Sequence, residues 1–326
     1  MNNINQIFKI TISDKEIIEN NLTQWYCNNK KKIYQLSNIQ NTMSNDKITI
    51  SKYLMKTKPQ SVNKSENIDI ECLEGKIIYK KSTDIYKQWY VNFADEMLFN
   101  YYNTALMAQD EHQVLEHPIL ANITEMLYTK SQEEIKFMPS TRNYDLEVNF
   151  STPILIENAK RLITLDIFNK STPLYGKLFE KASWNQITNM LTVNSSPISS
   201  NIIAMEAYSR GRGIYTLEQI NDLFFTAYLS FSSAKLQSEN KITINSGDWG
   251  TGAYGGNKIL LACIQLLAAN FSNIDKVLFY TFDKESFQEA YLIYQNIVNT
   301  SKRYNINNIL SKLEKIKFKW NISDGN

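Results

Sequence analysis

The sequence predicts an α/β fold, a mixed sheet flanked by helices, and three observations carry that prediction. Strand-like apolar runs alternate with helix-like ones over most of the chain. One such pair is sharply drawn: Ile242 and Ile244 alternate as in a short strand, and the run from Ile259 to Ala269 is apolar enough for a largely buried helix. Between them lies Gly247-Asp248-Trp249-Gly250-Thr251-Gly252-Ala253-Tyr254-Gly255-Gly256, which holds five of the ten glycines of the protein. Residues without a Cβ let successive backbone N–H groups converge on one point, and a following helix N-terminus adds partial positive charge there. Strand, glycine loop and helix can therefore hold a phosphate or diphosphate; the same pattern also serves as a plain tight turn.

Composition narrows the classes. The 326 residues suffice for one large domain or a domain with an appendage, and 43% hydrophobic residues supply a sizeable core. A net charge of +2 argues against a dedicated nucleic-acid surface. Cys27, Cys72 and Cys263 are far apart and odd in number, so the expectation is free thiols in a reducing compartment, with no disulfide framework and no metal set. His112 and His117 are the only histidines, too few for a histidine zinc site. No apolar run approaches the ~20 residues that span a bilayer. The start, Met1 to Asn5, lacks a basic region followed by an apolar core, so no Sec-type signal is expected. Export by a receptor-read signal stays open.

In chain order, residues 1–65 are rich in Asn, Lys, Ser and Ile and read as an N-terminal helical appendage. Its helices are expected over Lys15 to Trp25 and Lys31 to Ile39, with Lys30-Lys31-Lys32 a solvated face and Lys56 to Ser65 a polar connector. Ile68 to Tyr79 alternates around Gly75 and suggests a hairpin; Gln88 to Phe93 reads as a strand. Thr104 to Glu116 and His117 to Leu127 read as helices on either side of Pro118. Pro153 to Ile156, Arg161 to Leu165 and Asn201 to Met205 are strand-like, with an aromatic excursion at Leu178 to Trp184. Thr216 and Gln219 have capping-box spacing and open a helix through Leu229, followed by a polar loop from Ser232 to Asn240. After the glycine loop and its helix come a strand at Val277 to Phe282, a helix from Glu285 to about Asn299, and a lysine-rich tail at Leu310 to Trp320. That tail is either a terminal helix with a solvated lysine face or an amphipathic partner segment.

The glycine loop, with Ile264-Gln265-Leu266-Leu267-Ala268-Ala269 after it, resembles the diphosphate loop and helix of the poly(ADP-ribose) glycohydrolase family. That family usually shows Thr-Gly-Asn-Trp-Gly-Cys-Gly-Ala-Phe-Gly-Gly; Asp248 stands for its Asn, Thr251 for its Cys and Tyr254 for its Phe beside the distal ribose. Val277 to Asp283 resembles the family strand ending Phe-Thr-Phe-Gly-Asp, whose last Phe stacks on adenine, which implies that role for Phe282. Val91-Asn92-Phe93-Ala94-Asp95 resembles the family's Val-Asp-Phe-Ala-Asn. Together these blocks imply a macrodomain-like core over 66–326, with a C-terminal helix.

The family signature is three glycines, a spacer of six to eight residues, then Gln-Glu-Glu. Here Phe99-Asn100-Tyr101 fall on the glycines and Gln109-Asp110-Glu111 on the acidic end. The resemblance places Glu111 on the catalytic glutamate, Asp110 on its acidic neighbour and Asp95 near the ribose. Hydrolysis at an anomeric carbon passes through an oxocarbenium-like state, so a carboxyl that gives and takes a proton, or a carboxylate that stabilises the cation, is what the chemistry needs. Met107 and Leu115 flank Glu111 at i−4 and i+4, which suggests an inward stripe and a raised pKa. Read alone, without the aligned blocks on both sides, Gln109-Asp110-Glu111 reads as a polar helix turn. Phe99 and Tyr101 disfavour positive φ, so the loop is expected to run differently from the family's.

Asp248, with Asp95, Asp110 and Glu111, makes the site more acidic than the family pattern and suits a cationic substrate group such as ADP-ribosylated arginine; as a bare loop residue it is an Asx-turn cap. The resemblance therefore implies a hydrolase that removes mono-ADP-ribose from protein, most simply from arginine, similar to divergent bacterial-effector members of the family. Glu111, Asp110 and Asp248 form its catalytic set. Its ADP-ribose contacts are Asp95, Gly247, Gly250, Thr251, Gly252, Ala253, Tyr254, Gly255, Gly256, Phe282 and Ile77, with Ile78 an alternative to Ile77 and Phe168 loosely matched to a tyrosine over the site. Trp249 reads as loop packing. The expected partners are ADP-ribose and an ADP-ribosylated protein, with no nucleic acid, membrane span, metal or cofactor. A monomer is expected, cytosolic or delivered to a host cytosol. Two other readings are an ADP-ribose reader without activity and a poly(ADP-ribose) glycohydrolase with a rebuilt loop.

Overall fold

The computed structural model describes residues 3–66, 68–142, 151–169, 171, 173–209, 211–300 and 303–324; Met1 and Asn2, the first residues of the stretch read for a leader, lie outside them. The strands are β1 (Ile4–Ser13), β2 (Lys47–Met55), β3 (Ser61–Asn63), β4 (Asp69–Glu74), β5 (Tyr86–Ala94), β6 (Ile154–Leu165), β7 (Leu191–Glu206), β8 (Lys241–Gly247), β9 (Lys276–Thr281) and β10 (Arg303–Asn305). The helices are α1 (Asp14–Asn20), α2 (Asn28–Leu36), α3 (Gln109–Glu116), α4 (Ile119–Ser131), α5 (Leu178–Lys181), α6 (Trp184–Thr188), α7 (Leu217–Leu236), α8 (Lys258–Phe271), α9 (Lys284–Val298) and α10 (Ile306–Ile316).

Eight strands form one mixed sheet in the order β1-β2-β6-β7-β5-β8-β9-β4. The run from β7 to β4 is parallel, while β1, β2 and β6 are joined antiparallel at one edge. Alternation along the strands feeds two faces: Trp89 and Val91 of β5 pack with α7 to α10, whereas Tyr90 packs with α1, α3 and α4. The result is a mixed α/β sheet between helical layers, the class the sequence predicts. No helix among the described residues is long and apolar enough to cross a membrane.

Several elements differ from the sequence reading. Residues 1–65 do hold two helices, but they also supply β1 and β2, and β2 pairs with β6, so this segment extends the central sheet rather than standing apart as a helical appendage. Phe8, Ile48 and Ile50 enter the same core as α4, which is what draws the strands in. Lys30 is fully buried, against the expectation of a solvated face. β4 pairs parallel with β9 instead of forming a hairpin; Gly75, at φ +102°, ends it. The two strand-like runs around 153–165 are one bulged strand, β6. α7 continues into the stretch expected as a polar loop as far as Leu236, burying Ser232 and Ser233. Its Thr216–Gln219 capping box is present, and the tail is a terminal helix, α10, buried on Ile306, Ile309, Leu310 and Leu313.

Candidate active site

The parallel strands β7, β5, β8 and β9 deliver Glu206, Asp95, Gly247 and Phe282 at their C-terminal ends, the edge of an α/β sheet where ligands usually bind. The acidic turn is the start of α3. Gln109 ties it to β5 twice: its Oε1 accepts from Phe93 N–H at 2.8 Å and its Nε2 donates to Val91 O at 3.2 Å. Asp110 is buried against the same strand, where Asn92 Nδ2 donates to its Oδ1 at 2.9 Å. Glu111 turns back, accepting from Ala108 N–H at 2.8 Å, between the buried Met107 and Leu115. The helical step thus sends the two carboxyls in different directions. Burial, reinforced by Glu111, pushes the Asp110 carboxyl well above the usual range. Burial also raises Glu111, opposed first by the charge of Lys30.

Before α3, the chain from Met97 to Thr104 is a run of turns, with Asn100 N–H to Met97 O at 3.1 Å, Tyr102 N–H to Phe99 O at 2.9 Å and Thr104 N–H to Tyr101 O at 3.1 Å. Phe99 adopts φ +53°, the left-handed conformation the sequence reading held against it. Its buried ring, packed with Leu98 and Tyr102, supplies the apolar contact that offsets a backbone cost of roughly 1–2 kcal/mol.

After β8 the glycine loop folds on itself: Trp249 N–H reaches Gly247 O at 2.7 Å, Gly255 N–H reaches Gly252 O and Gly256 N–H reaches Gly250 O, both at 3.0 Å. Gly250 needs to be glycine, since at φ +74° an added Cβ would stand 2.5 Å from Ala207 Cβ. Trp249 is fully buried, its Nε1 donating to Met205 O at 3.0 Å, so it is loop packing as expected. The C-terminal tail, absent from the sequence reading of the site, runs along the loop. Asn321 donates from its N–H to Gly255 O at 2.8 Å and from Nδ2 to Gly256 O at 3.0 Å, and Ser323 Oγ donates to Ala253 O at 2.6 Å.

The two loops meet where Tyr254 Oη donates to Asp95 Oδ2 at 2.9 Å. Next to them Glu206 receives Arg142 Nε at 2.6 Å, and the same guanidinium reaches Asp222 at 3.3 Å. Burial lifts the Glu206 carboxyl to about 7; Arg142 opposes this, and Asp95 and Glu96 add to it. Sequence reading missed all three of these partners. One signal for Glu206 was present: an acid closing the buried run Ile202 to Met205 at the same sheet edge as Asp95.

A family model described as poly(ADP-ribose) glycohydrolase (PARG), macro domain fold, matches residues 124–289, just over half of the chain. The chain belongs to the poly(ADP-ribose) glycohydrolase family. The match begins inside α4 and takes in β6 to β9 with the glycine loop. Among solved structures, the chain is similar to the poly(ADP-ribose) glycohydrolase of Thermomonospora curvata at 10% identity, covering 87% of this chain and 87% of that one, with a TM-score of 0.44. It is also similar to the poly(ADP-ribose) glycohydrolase of Deinococcus radiodurans in complex with ADP-ribose, at 11% identity over 87% of this chain and 97% of that one, with a TM-score of 0.45.

Within this poly(ADP-ribose) glycohydrolase fold, the predicted residues Asp95, Asp110, Glu111 and Tyr254 come together, Tyr254 joining the glycine loop to Asp95. Asp248 does not join them. Its Oδ2 accepts from Thr281 Oγ1 at 2.9 Å, and the charges acting on it are Lys258 and Asp283, on the β9 side. Its carboxylate fastens the loop to β9. Phe282 is 63% exposed, not core, and stands 5.5 Å from the Phe168 ring, which stacks on Tyr175 at 5.5 Å. Ile77 is half-buried against the α3/α4 side of the sheet, and Ile78 is exposed. No group of acids, histidines and cysteines fit for a metal occurs among the described residues.

Proposed function

We propose that this protein binds ADP-ribose and hydrolyses the bond between mono-ADP-ribose and a protein side chain, with arginine the linkage. The observation that carries the proposal is the gathering of Asp95, Asp110, Glu111 and Tyr254 at one sheet edge beside the glycine loop. Adenine would lie on exposed Phe282, the diphosphate along Gly250 to Gly256, and the distal ribose by Tyr254 and Asp95. That direction runs from β9 across β8 to β5, so the leaving group would lie toward β7, where Asp95 and Glu96 add negative charge beside Glu206 and Asp222, the two acids that Arg142 pairs. Such a surface favours a cationic guanidinium. These carboxylates, rather than Asp248, support the arginine reading.

In the reaction, the bond from the anomeric carbon to the guanidino nitrogen breaks as the ring becomes oxocarbenium-like. Glu111 gives its proton to the departing nitrogen and then takes one from the water that adds to the anomeric carbon, releasing ADP-ribose and unmodified arginine. Burial, which raises the Asp110 carboxyl, favours its neutral form beside Glu111.

A second reading, cleavage of poly(ADP-ribose), is favoured by one observation: Phe99 keeps a left-handed turn where the family has glycine. Parallel assays decide between them. Release of ADP-ribose from arginine-modified protein, with the polymer left at full length, is the expected outcome. Shortening of the polymer without release from arginine would replace the proposal by the second reading.

A further inference from the structure

Lys30 is a buried cation that the chemistry above does not use. It lies on α2 with its side chain fully buried, unlike its neighbours Lys31 and Lys32, and its ammonium donates to Tyr101 O at 3.4 Å. Removing an ammonium from water costs several kcal/mol unless other groups compensate. One long bond to a neutral carbonyl does not. The position is nevertheless enforced. Tyr26 and Cys27 N–H groups both reach Asn103 O, at 3.1 and 2.9 Å, and Ile33 packs with Met107 and Leu115, the residues flanking Glu111. The N-terminal segment thus pushes one lysine behind the turn that replaces the three glycines.

The charges facing that lysine are Glu111 and Asp110 from α3 and the thiol of Cys27 from its own segment. Those facing Glu111 are Lys30 from α2, Asp95 from the end of β5, Asp110 on its own helix and Tyr175 from the chain before α5. We infer that Lys30 is a positioning residue of the acid site: it fastens the Phe99–Tyr101 turn through Tyr101 O and sets the charge state of Glu111. The inference rests on the role proposed for Glu111. Burial draws the ammonium down to about 8, with Glu111 foremost among the groups opposing that, so Lys30 stays mostly charged at neutral pH. Whichever step Glu111 performs, loss of this cation raises its pKa.

The test is direct titration of Glu111 in the full chain labelled with carboxyl-13C glutamate, its resonance identified by its loss in Glu111→Gln. In Lys30→Met the midpoint is expected at least about one pH unit above wild type. Lys30→Gln, which keeps a donor for Tyr101 O without the charge, should shift alike, and Lys30→Arg should return toward wild type. The limb of the kcat/KM–pH profile that reports Glu111 should move upward by the same amount. An unchanged midpoint in a folded Lys30→Met or Lys30→Gln protein overturns the inference. A shifted midpoint in a protein that releases no ADP-ribose counts against the hydrolase proposal instead, because the midpoint needs no turnover.

Discussion

The loop after β8 and the turn after β5 face the same site and are built by opposite means. The first relies on missing side chains: Gly250 lies so close to Ala207 that a Cβ would collide, and the tail residues Asn321 and Ser323 hold its carbonyls. The second relies on large side chains: Phe99 takes up a left-handed backbone but anchors it with a buried ring, and Lys30 and Tyr102 fasten the turn to the N-terminal segment. A glycine supplies conformational freedom and close approach together. At Phe99 a left-handed conformation is held by a residue other than glycine, and its fixity comes from packing.

That difference predicts opposite responses to substitution. Phe99→Gly relieves backbone strain, yet it empties a core position, so a net loss of about 3 kcal/mol is expected in denaturant unfolding. A gain in stability would show that the ring contributes little. Gly250→Ala should cost about 2 kcal/mol through positive φ and the contact with Ala207, and should weaken ADP-ribose binding in calorimetry. Equal affinity would mean that the loop does not carry the diphosphate.

Glu206 tests the acidic side by pH. Its folded value, about 7, lies above the ordinary 4.5, so between those values the folded chain binds the proton more tightly than the unfolded one. Its contribution is therefore full below 4.5 and lost as pH rises through 7. Glu206→Gln should flatten thermal stability across that window, by on the order of 2 kcal/mol; an unaltered slope would place the carboxyl in a more solvated setting. The smallest expected effect is Asn321→Ala, about 1 kcal/mol from the one side-chain hydrogen bond lost, Nδ2 to Gly256 O, with a modest loss of ADP-ribose affinity.

The sequence makes one of these regions far more legible than the other. β8, the glycine loop and α8 are adjacent in the chain, so composition, periodicity and loop chemistry point the same way. The acidic turn Gln109-Asp110-Glu111 was placed by spacing, but the helix expected from Thr104 begins only at Gln109, so Met107, buried like Glu111 and Leu115, lies before it. What supports that turn was not legible, because its partners are distant: Lys30 for Glu111, Thr281 for Asp248, Arg142 for Glu206. A triple lysine looks solvated until a remote acid pair is known to lie beneath it. β1 and β2 were lost for a related reason. Their alternating Phe8, Ile10, Ile12 and Ile48, Ile50 sit in a segment whose Asn/Lys content reads as peripheral, and only pairing with β6 makes them part of the sheet.

The central claim is that Glu111 transfers the proton in cleavage of ADP-ribose from arginine. The most direct measurement is release of free ADP-ribose from a protein mono-ADP-ribosylated on arginine, by wild type and by Glu111→Gln at matched ADP-ribose binding. Release by wild type, with the variant slower by at least about a hundredfold, is the predicted result. Equal release by both, or no release by a wild type that binds ADP-ribose, would contradict it.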